Sequence, residues 1–213
     1  MSSHIQAAWN AFIVAATTEE FFKFFVIMIF IWRSKHFNEP FDGIVYAVYV
    51  SLGFALVENI MYVVQGGTSV ALLRAITAVP AHAIFGISMG YYVGMAKYKP
   101  KNSRKLLSYA IIVPVILHGL YDFIIMVDIP VLLIIFVIYV PILYIYGLRK
   151  VKYLSKFSGE QLKKQEEEKI IESSNHEDNG LNINDLHDIE TIETQTETEN
   201  TEKQQDIKRG FDV

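Results

Sequence analysis

Four apolar runs of this chain contain acids or imidazoles, the side chains that could carry out acid–base chemistry or bind a metal. They are Glu19 and Glu20 in the first run, Glu58 in the second, where the amide Asn59 follows it, His82 in the third, and His118 and Asp122 in the fourth. An ionisable side chain within hydrocarbon is costly, so its default interpretation is functional. The pattern therefore predicts a membrane enzyme or a transporter.

The first run carries two adjacent glutamates and a lysine. Lys23 lies four residues after Glu19 and three after Glu20, so in a helix its ammonium can reach either carboxylate on the same face. It can neutralise one of them, which leaves the other protonated or paired elsewhere. Two adjacent acids in a low-dielectric site disfavour a second negative charge, and this is a setting for a general base. A structural Glu–Lys pair alone would explain one glutamate and not both.

The histidines of the third and fourth runs have informative neighbours. His118 and Asp122 are four residues apart and project from one face of a helix. The carboxylate could fix the tautomer of the imidazole, or both could ligate or polarise a common group. His82 is followed at four-residue intervals by three glycines, Gly86, Gly90 and Gly94. Such a stripe lets another backbone approach closely, so His82 should face a helix interface, in a structural or a functional role.

Five apolar segments are long enough to position these side chains in a membrane. A span needs about 20 mainly apolar residues, and the candidates are roughly residues 8–32, 42–64, 71–95, 106–127 and 130–148. The first lacks the basic leader of a secretory signal peptide, so we expect it to be retained. The predicted fold class is all-α: a polytopic membrane helical bundle of about five transmembrane helices with a disordered C-terminal tail.

Loop charge predicts the orientation of these spans. Basic residues follow the first, third and fifth runs: Arg33 and Lys35, then Lys97, Lys99, Lys101, Arg104 and Lys105, then Arg149, Lys150 and Lys152. Basic loops remain cytoplasmic, so we expect a multi-pass protein of the cell membrane with its N-terminus outside and its C-terminus in the cytoplasm. At about 1.5 Å of rise per residue, the acids and imidazoles then share a layer at the midplane or in the outer half.

A change in composition at Ser158 predicts two parts, a membrane-embedded domain of residues 1–157 and an acidic cytoplasmic tail of residues 158–213. Ser158 and Gln161 are spaced as a capping box, so the tail could begin with a short solvated helix. Beyond about Ser173 the tail is too polar to bury the apolar surface that would offset its ordering entropy. We expect it to be largely disordered and solvated, with an interaction or regulatory role as the alternative.

Several chemistries are disfavoured. The chain has no cysteine, which excludes disulfides, a thiolate nucleophile and cysteine-based metal sites. Residues 86–90 match G-x-S-x-G, but within an apolar helix rather than a strand-to-helix elbow, so Ser88 is not expected to be a nucleophile. H-E-x-x-H is missing. No phosphate-binding loop is present, and topology explains the basic loops, so we expect no nucleic-acid partner.

Taken in order, the motifs resemble those of the PrsW family of intramembrane proteases. EEFFK matches its E-E-x-x-K and FALVEN its F-x-x-x-E-N, while HGLYD resembles its H-x-x-x-D. Arg74, Pro80 and His82 look like its third motif. All four occur over about residues 17–122, and only the ordered set is specific. The family is distantly similar to CAAX prenyl endopeptidases.

The resemblance implies hydrolysis of a peptide bond in a single-span membrane protein, such as the first cut in an anti-sigma factor. It carries over a catalytic set of Glu19, Glu20, Glu58, His82, His118 and Asp122, with Lys23, Asn59 and Arg74 in support. Glu19 or Glu20 would activate the water. The mechanism is left open between a glutamate-type site and a metal site in which Glu58, His82 and His118 bind Zn²⁺ or another divalent metal.

Two features differ from the family pattern and leave the substrate undefined. The first motif begins almost at the N-terminus, where family members commonly have further hydrophobic segments, and the acidic tail is unexpected.

The alternative function is a small proton- or cation-coupled transporter, since buried Glu, Lys, His and Asp also build ion relays. Five spans without an inverted repeat argue against it. A non-catalytic scaffold would predict damaged motifs, and all four are intact.

Overall fold

The computed structural model describes residues 3–127 and 129–180, and their regular elements are helices. We number five of these elements. They are α1 (residues 3–31), α2 (Asp42–Gly66), α3 (Thr68–Tyr98), α4 (Ser103–Met126) and α5 (Pro130–Gly180), with a short 3₁₀ turn at Pro100–Asn102 before α4. The predicted all-α fold is confirmed. Residues Met1–Leu162 form one compact unit, which contains every site residue, and a second unit begins at Lys163.

The helices have the length and composition of membrane spans. Among the described residues, four stretches qualify as single spans: α2, α3, α4 with its preceding turn, and α5 as far as Ser173. The first apolar run is helical over α1, which brings the long apolar helices to the predicted number of about five. The structure is therefore that of a polytopic membrane helical bundle.

Helix α1 contains two π-helical stretches, Trp9–Thr17 and Ile27–Ile31, on either side of the α-helical Thr18–Val26. In the first, the Thr17 hydroxyl donates a hydrogen bond of 2.7 Å to the Phe12 carbonyl five residues earlier. Stretches with i→i+5 bonding are rare and often lie beside functional sites. Here the regular turns between them carry both glutamates and the lysine of the first motif.

Helix α5 is longer than the sequence predicts. The sequence predicts a span ending near residue 148, a short solvated helix from Ser158, and a disordered tail beyond about Ser173. Instead one helix continues to Gly180. The segment after the span is rich in Lys, Glu and Gln, which favour helix even when exposed. The rest of the predicted disordered tail, residues 181–213, lies outside the described residues, as does Asp128, and the predicted boundary at residue 157 stays a prediction.

The glycine stripe of α3 allows α2 to pack directly against it, as its spacing predicts. A Cβ built on Gly43 of α2 would lie 2.5 Å from the Gly90 carbonyl oxygen, and one on Gly86 would lie 2.9 Å from that of Ala47. One turn further along, the Ser51 hydroxyl donates a hydrogen bond of 2.6 Å to the His82 carbonyl. This close packing fixes where α3 places its histidine.

Helix α3 also packs against α4, and α4 lies against the first π-helical stretch of α1, whereas α1 and α2 touch each other sparsely. Near this loose contact, Gly53 of α2 has no atom within 4 Å of where a Cβ would be. The chain thus contains two kinds of helical glycine, one enclosed by backbone and one facing open space.

These two kinds of glycine should respond oppositely to alanine. In Gly90→Ala the new Cβ would meet the backbone of Gly43 and Ile44, so we expect destabilisation by about 1–3 kcal/mol. Gly53→Ala should instead stabilise the helix by up to about 1 kcal/mol, because alanine is the better helix former and the space is open. Unfolding by denaturing detergent in mixed micelles measures both changes. Equal effects of the two substitutions would contradict the packing described.

Candidate active site

The Lys23 ammonium lies at the centre of the polar cluster inside the bundle. Its Nζ donates hydrogen bonds to Glu20 Oε1 at 2.7 Å and to Glu19 Oε2 at 3.2 Å, and it lies 3.2 Å from His82 Nδ1. Lys23 is 1% exposed and Glu20 is fully buried. The predicted contact of Lys23 with the glutamates is thus confirmed for both carboxylates, and an imidazole supplies the third acceptor that an ammonium can use.

His82 joins the first motif to the second. Because its Nδ1 accepts from Lys23, the proton of the neutral ring lies on Nε2. That nitrogen is 3.1 Å from Glu58 Oε2 on α2, and Arg74 Nη2 is 2.6 Å from the same oxygen. The Arg74 guanidinium also stacks on the Tyr62 ring, at 3.8 Å from its centroid. Glu58 is therefore held between a histidine and an arginine, both supplied by α3.

His118 joins the fourth motif to the first. Its Nδ1 lies 2.9 Å from Glu20 Oε1, and its Nε2 lies 3.3 Å from Asp122 Oδ2. Both carboxylates accept hydrogen bonds and a neutral ring can donate to only one of them, so the pair fixes the orientation of the ring but not which nitrogen carries the proton. The Phe85 ring stacks on the imidazole at a centroid distance of 4.7 Å. Three helices, α1, α3 and α4, thus meet at the two histidines, whose centroids are 5.1 Å apart.

The donor set fits a divalent metal. Ligand atoms of Glu19, His82 and His118 lie within 4.8 Å of one another, and imidazole nitrogen with carboxylate oxygen is a set that zinc accepts. Two of these residues already converge on one cation, the Lys23 ammonium. In the metal alternative that the resemblance leaves open, Glu58 is the possible carboxylate ligand beside His82 and His118. The structure groups Glu19 with the histidines instead, and Glu58 is occupied by Arg74 and His82.

Two cavities reach this cluster. An apolar one of about 570 Å³ has Glu19 and Glu58 in its wall together with side chains of α1 and α2. A more polar one of about 240 Å³ is lined by Glu58, Arg74, His82, Tyr121 and Asp122, among others. Glu58 borders both. Glu19 and Glu58 are 23% and 19% exposed, whereas Glu20 is fully buried, so the site has an accessible side and a closed side.

Several buried polar atoms of the cluster lack a hydrogen-bond partner among the described residues, and oxygens of Glu20 and Asn59 are among them. Glu20 Oε1 contacts both Lys23 and His118, but no described residue donates a hydrogen bond to its buried Oε2. The predicted supporting residue Asn59 follows Glu58 in α2, and its side-chain oxygen is likewise buried without a partner among the described residues. A buried acceptor of this kind calls for a ligand or a water. Glu20 Oε2 is therefore an acceptor that a ligand or a water could satisfy.

Some site residues escape sequence reasoning. Phe85, which stacks on His118, comes three residues after His82 and so shares its helix face, but an apolar residue in an apolar helix gives no signal. Ser51 and Tyr62 resemble any polar or aromatic residue of a span. All of the predicted catalytic residues nevertheless lie in one connected cluster.

The burial of Lys23 makes its charge essential to folding. Lys23→Met should destabilise the chain by about 3–5 kcal/mol, because it leaves the Glu20 carboxylate buried without its cation. Lys156→Met is the matched control, since Lys156 is 82% exposed and lies 3.9 Å from Glu160; it should change stability by less than about 0.5 kcal/mol. Equilibrium unfolding in detergent compares them. Equal stability of the two variants would mean that Lys23 is not paired as described.

Comparison with known proteins gives a consistent picture. Residues 1–146 match the family described as "PrsW family intramembrane metalloprotease". The chain is 49% identical over 115 residues to Protease PrsW of Oceanobacillus iheyensis, covering 54% of each chain. It is 41% identical over 143 residues to that of Halalkalibacterium halodurans (67% of this chain, 66% of the relative), and 44% identical over 115 residues to that of Bacillus subtilis (54% and 53%).

The chain spans between about half and two thirds of the length of these relatives. No solved structure matches it. The matched region contains all four motifs and the complete cluster around Lys23.

Proposed function

The chain belongs to the PrsW family of intramembrane metalloproteases and is a multi-pass membrane protein, and on this premise we propose that it hydrolyses a peptide bond of a membrane-bound substrate. The observation that carries the proposal is the convergence of both glutamates and His82 on Lys23, with His118 joined to the same cluster through Glu20, beside two cavities. Such a cluster combines a carboxylate that can accept a proton, side chains that can ligate a metal cation, and access from outside the bundle.

Glu20 is the residue that we assign to the attacking water. Its Oε1 is fixed by Lys23 and His118, so Oε2 can accept the proton of a water without the carboxylate moving. The water oxygen then bonds to the substrate carbonyl carbon, the C–N bond breaks, and Glu20 returns the proton to the leaving nitrogen. Asp122 keeps His118 oriented. In this assignment Lys23 is a positioning residue.

Arg74 is the group that we assign to the oxyanion. It lines the polar cavity beside His82, and a guanidinium has more donors than its ion pair with Glu58 uses. Fixed donors aimed at a developing negative charge are commonly the largest contribution to such catalysis. Because Tyr121 and Asp122 also line this cavity, water in it would reach the carboxylate that pairs with His118.

Glu19, His82 and His118 would hold the metal, which their donor types suggest is Zn²⁺. When bound it supplies Lewis-acid polarisation and lowers the cost of forming hydroxide at neutral pH. The assignment separates the two glutamates by role, with Glu19 as a ligand and Glu20 as the proton acceptor.

We further propose that the substrate is a single-span protein of the cell membrane resembling an anti-sigma factor, cut on the extracytoplasmic side. The basic loops support an external N-terminus and a cytoplasmic C-terminus. In that orientation Glu58 and His118 are nearer the outer than the inner ends of α2 and α4. The reaction centre would then lie in the outer half of the bilayer.

Replacing the Glu20 carboxylate by an amide should abolish cleavage but not insertion, because Glu19 still pairs with Lys23. We expect Glu20→Gln to lower proteolysis at least about 100-fold, measured as new N-termini of membrane proteins when the chain is expressed in a host that lacks it. Ser88→Ala is the control and should cleave normally, because Ser88 is buried against Tyr146 away from the cluster. Full activity of Glu20→Gln, or loss of activity in Ser88→Ala, would contradict the mechanism. Ion flux in vesicles without any cleavage would instead support a transporter.

Metal content distinguishes the roles of the two glutamates. Purified wild type and Glu20→Gln should both retain a divalent metal, measured by plasma mass spectrometry, whereas Glu19→Ala and His118→Ala should lose it. A chelator should stop cleavage, and Zn²⁺ should restore it. An active, metal-free wild type that is insensitive to chelator would overturn the metal assignment and leave a glutamate-type mechanism.

A further inference from the structure

The larger cavity is a groove between α1 and α2, where these helices touch sparsely. Its wall consists of apolar residues and two carboxylates. The apolar part, which we call the α1–α2 groove, comprises Val26, Val50, Gly53, Phe54, Val57 and Met61. Glu19 and Glu58, which belong to the cluster around Lys23 and His82, complete the lining. The groove therefore connects an apolar surface of the bundle with the reaction centre.

Gly53 keeps this groove wide. A Cβ at this position would meet no atom within 4 Å, whereas Gly43 on the same helix is enclosed by the backbone of Gly90 and Gly94. Helix packing thus accounts for Gly43 but not for Gly53. A glycine inside a helix lowers its stability relative to alanine. Its effect here is to expose the α2 backbone to whatever occupies the groove.

The size and chemistry of the groove restrict its occupant. Its volume of about 570 Å³ lies within the range of roughly 300–1,000 Å³ that is typical of ligand sites. An apolar wall disfavours charged groups, because they would lose their hydration. The two carboxylates, in contrast, can accept hydrogen bonds from backbone N–H groups, which are costly to leave unpaired within a bilayer. A lipid acyl chain has no such donors, whereas an unwound peptide has them at every residue except proline.

We propose that the α1–α2 groove holds an apolar, unwound segment of the substrate's transmembrane region and leads it to Glu19 and Glu58, with Gly53 as the position that sets the permitted bulk. This inference rests on the proposed peptidase function and specifies the substrate: uncharged residues flank the cut bond. The smaller polar cavity remains available to water. Peptide and water thus approach Glu58, which borders both cavities, from different directions.

Larger side chains introduced into the groove lining should reduce cleavage, whereas a larger side chain at a neighbouring exposed position should not. Gly53→Phe and Val57→Trp should lower cleavage of a co-expressed reporter, a Leu/Ala-rich single span between two tagged soluble domains, by at least about tenfold. Leu56→Trp is the control, because Leu56 is the neighbouring residue, similarly exposed, and not part of the groove lining. Leu56→Trp should cleave within about twofold of wild type.

Photo-crosslinking separates binding from catalysis. A benzoylphenylalanine at Met61, in the Glu20→Gln background, should crosslink to the reporter span, and Gly53→Phe should abolish that product. The same probe at Ile60, which is exposed outside the groove lining, should give none. A crosslink from Met61 without cleavage in any variant would support the groove and contradict the peptidase function. Normal cleavage by Gly53→Phe, or a Met61 probe that crosslinks only to lipid, would overturn the groove proposal and leave the function intact.

Discussion

The buried ion pair between Lys23 and Glu20 is the interaction on which the rest of the structure depends. Both side chains are removed from solvent, and a charge in hydrocarbon must be compensated within the protein. Glu19 of the same helix also contacts Lys23, and the other partners of this pair come from other helices, His82 from α3 and His118 from α4. The same contacts that make the charges tolerable therefore also assemble the site, so folding and catalysis share one set of residues.

The cluster has a buried side, whose residues are held in fixed positions, and an accessible side, which borders the two cavities. The closed side holds the buried Glu20 and His118, with the Phe85 ring stacked on the imidazole, whereas the open side presents Glu19 and Glu58 to the cavities. A proton acceptor benefits from a fixed position, while a substrate needs room to enter. The glycines of α2 show both requirements, with Gly43 enclosed by backbone and Gly53 facing open space.

Sequence spacing predicted what lies within one helix better than what lies between helices. The contacts of Lys23 with both glutamates and of His118 with Asp122 follow from the three- and four-residue spacing. The grouping of Glu19, rather than Glu58, with the histidines depends on how each helix is rotated in the bundle, which spacing does not encode. The π-helical turns of α1 also have no signal in the local sequence. The same is true of the different surroundings of Gly43 and Gly53, because nothing in the neighbouring sequence distinguishes a glycine enclosed by backbone from one that faces open space.

A double-mutant cycle between Lys23 and His82 tests the central claim, that helices distant in sequence share one charged centre. The measurement compares the free energies of unfolding of Lys23→Met, His82→Ala and the double variant with wild type in detergent. Residues in direct contact show coupling of about 0.5–3 kcal/mol, and the 3.2 Å distance between Lys23 Nζ and His82 Nδ1 predicts a value in that range. Additive effects would show that α1 and α3 do not meet at Lys23, and the proposed reaction centre would not exist.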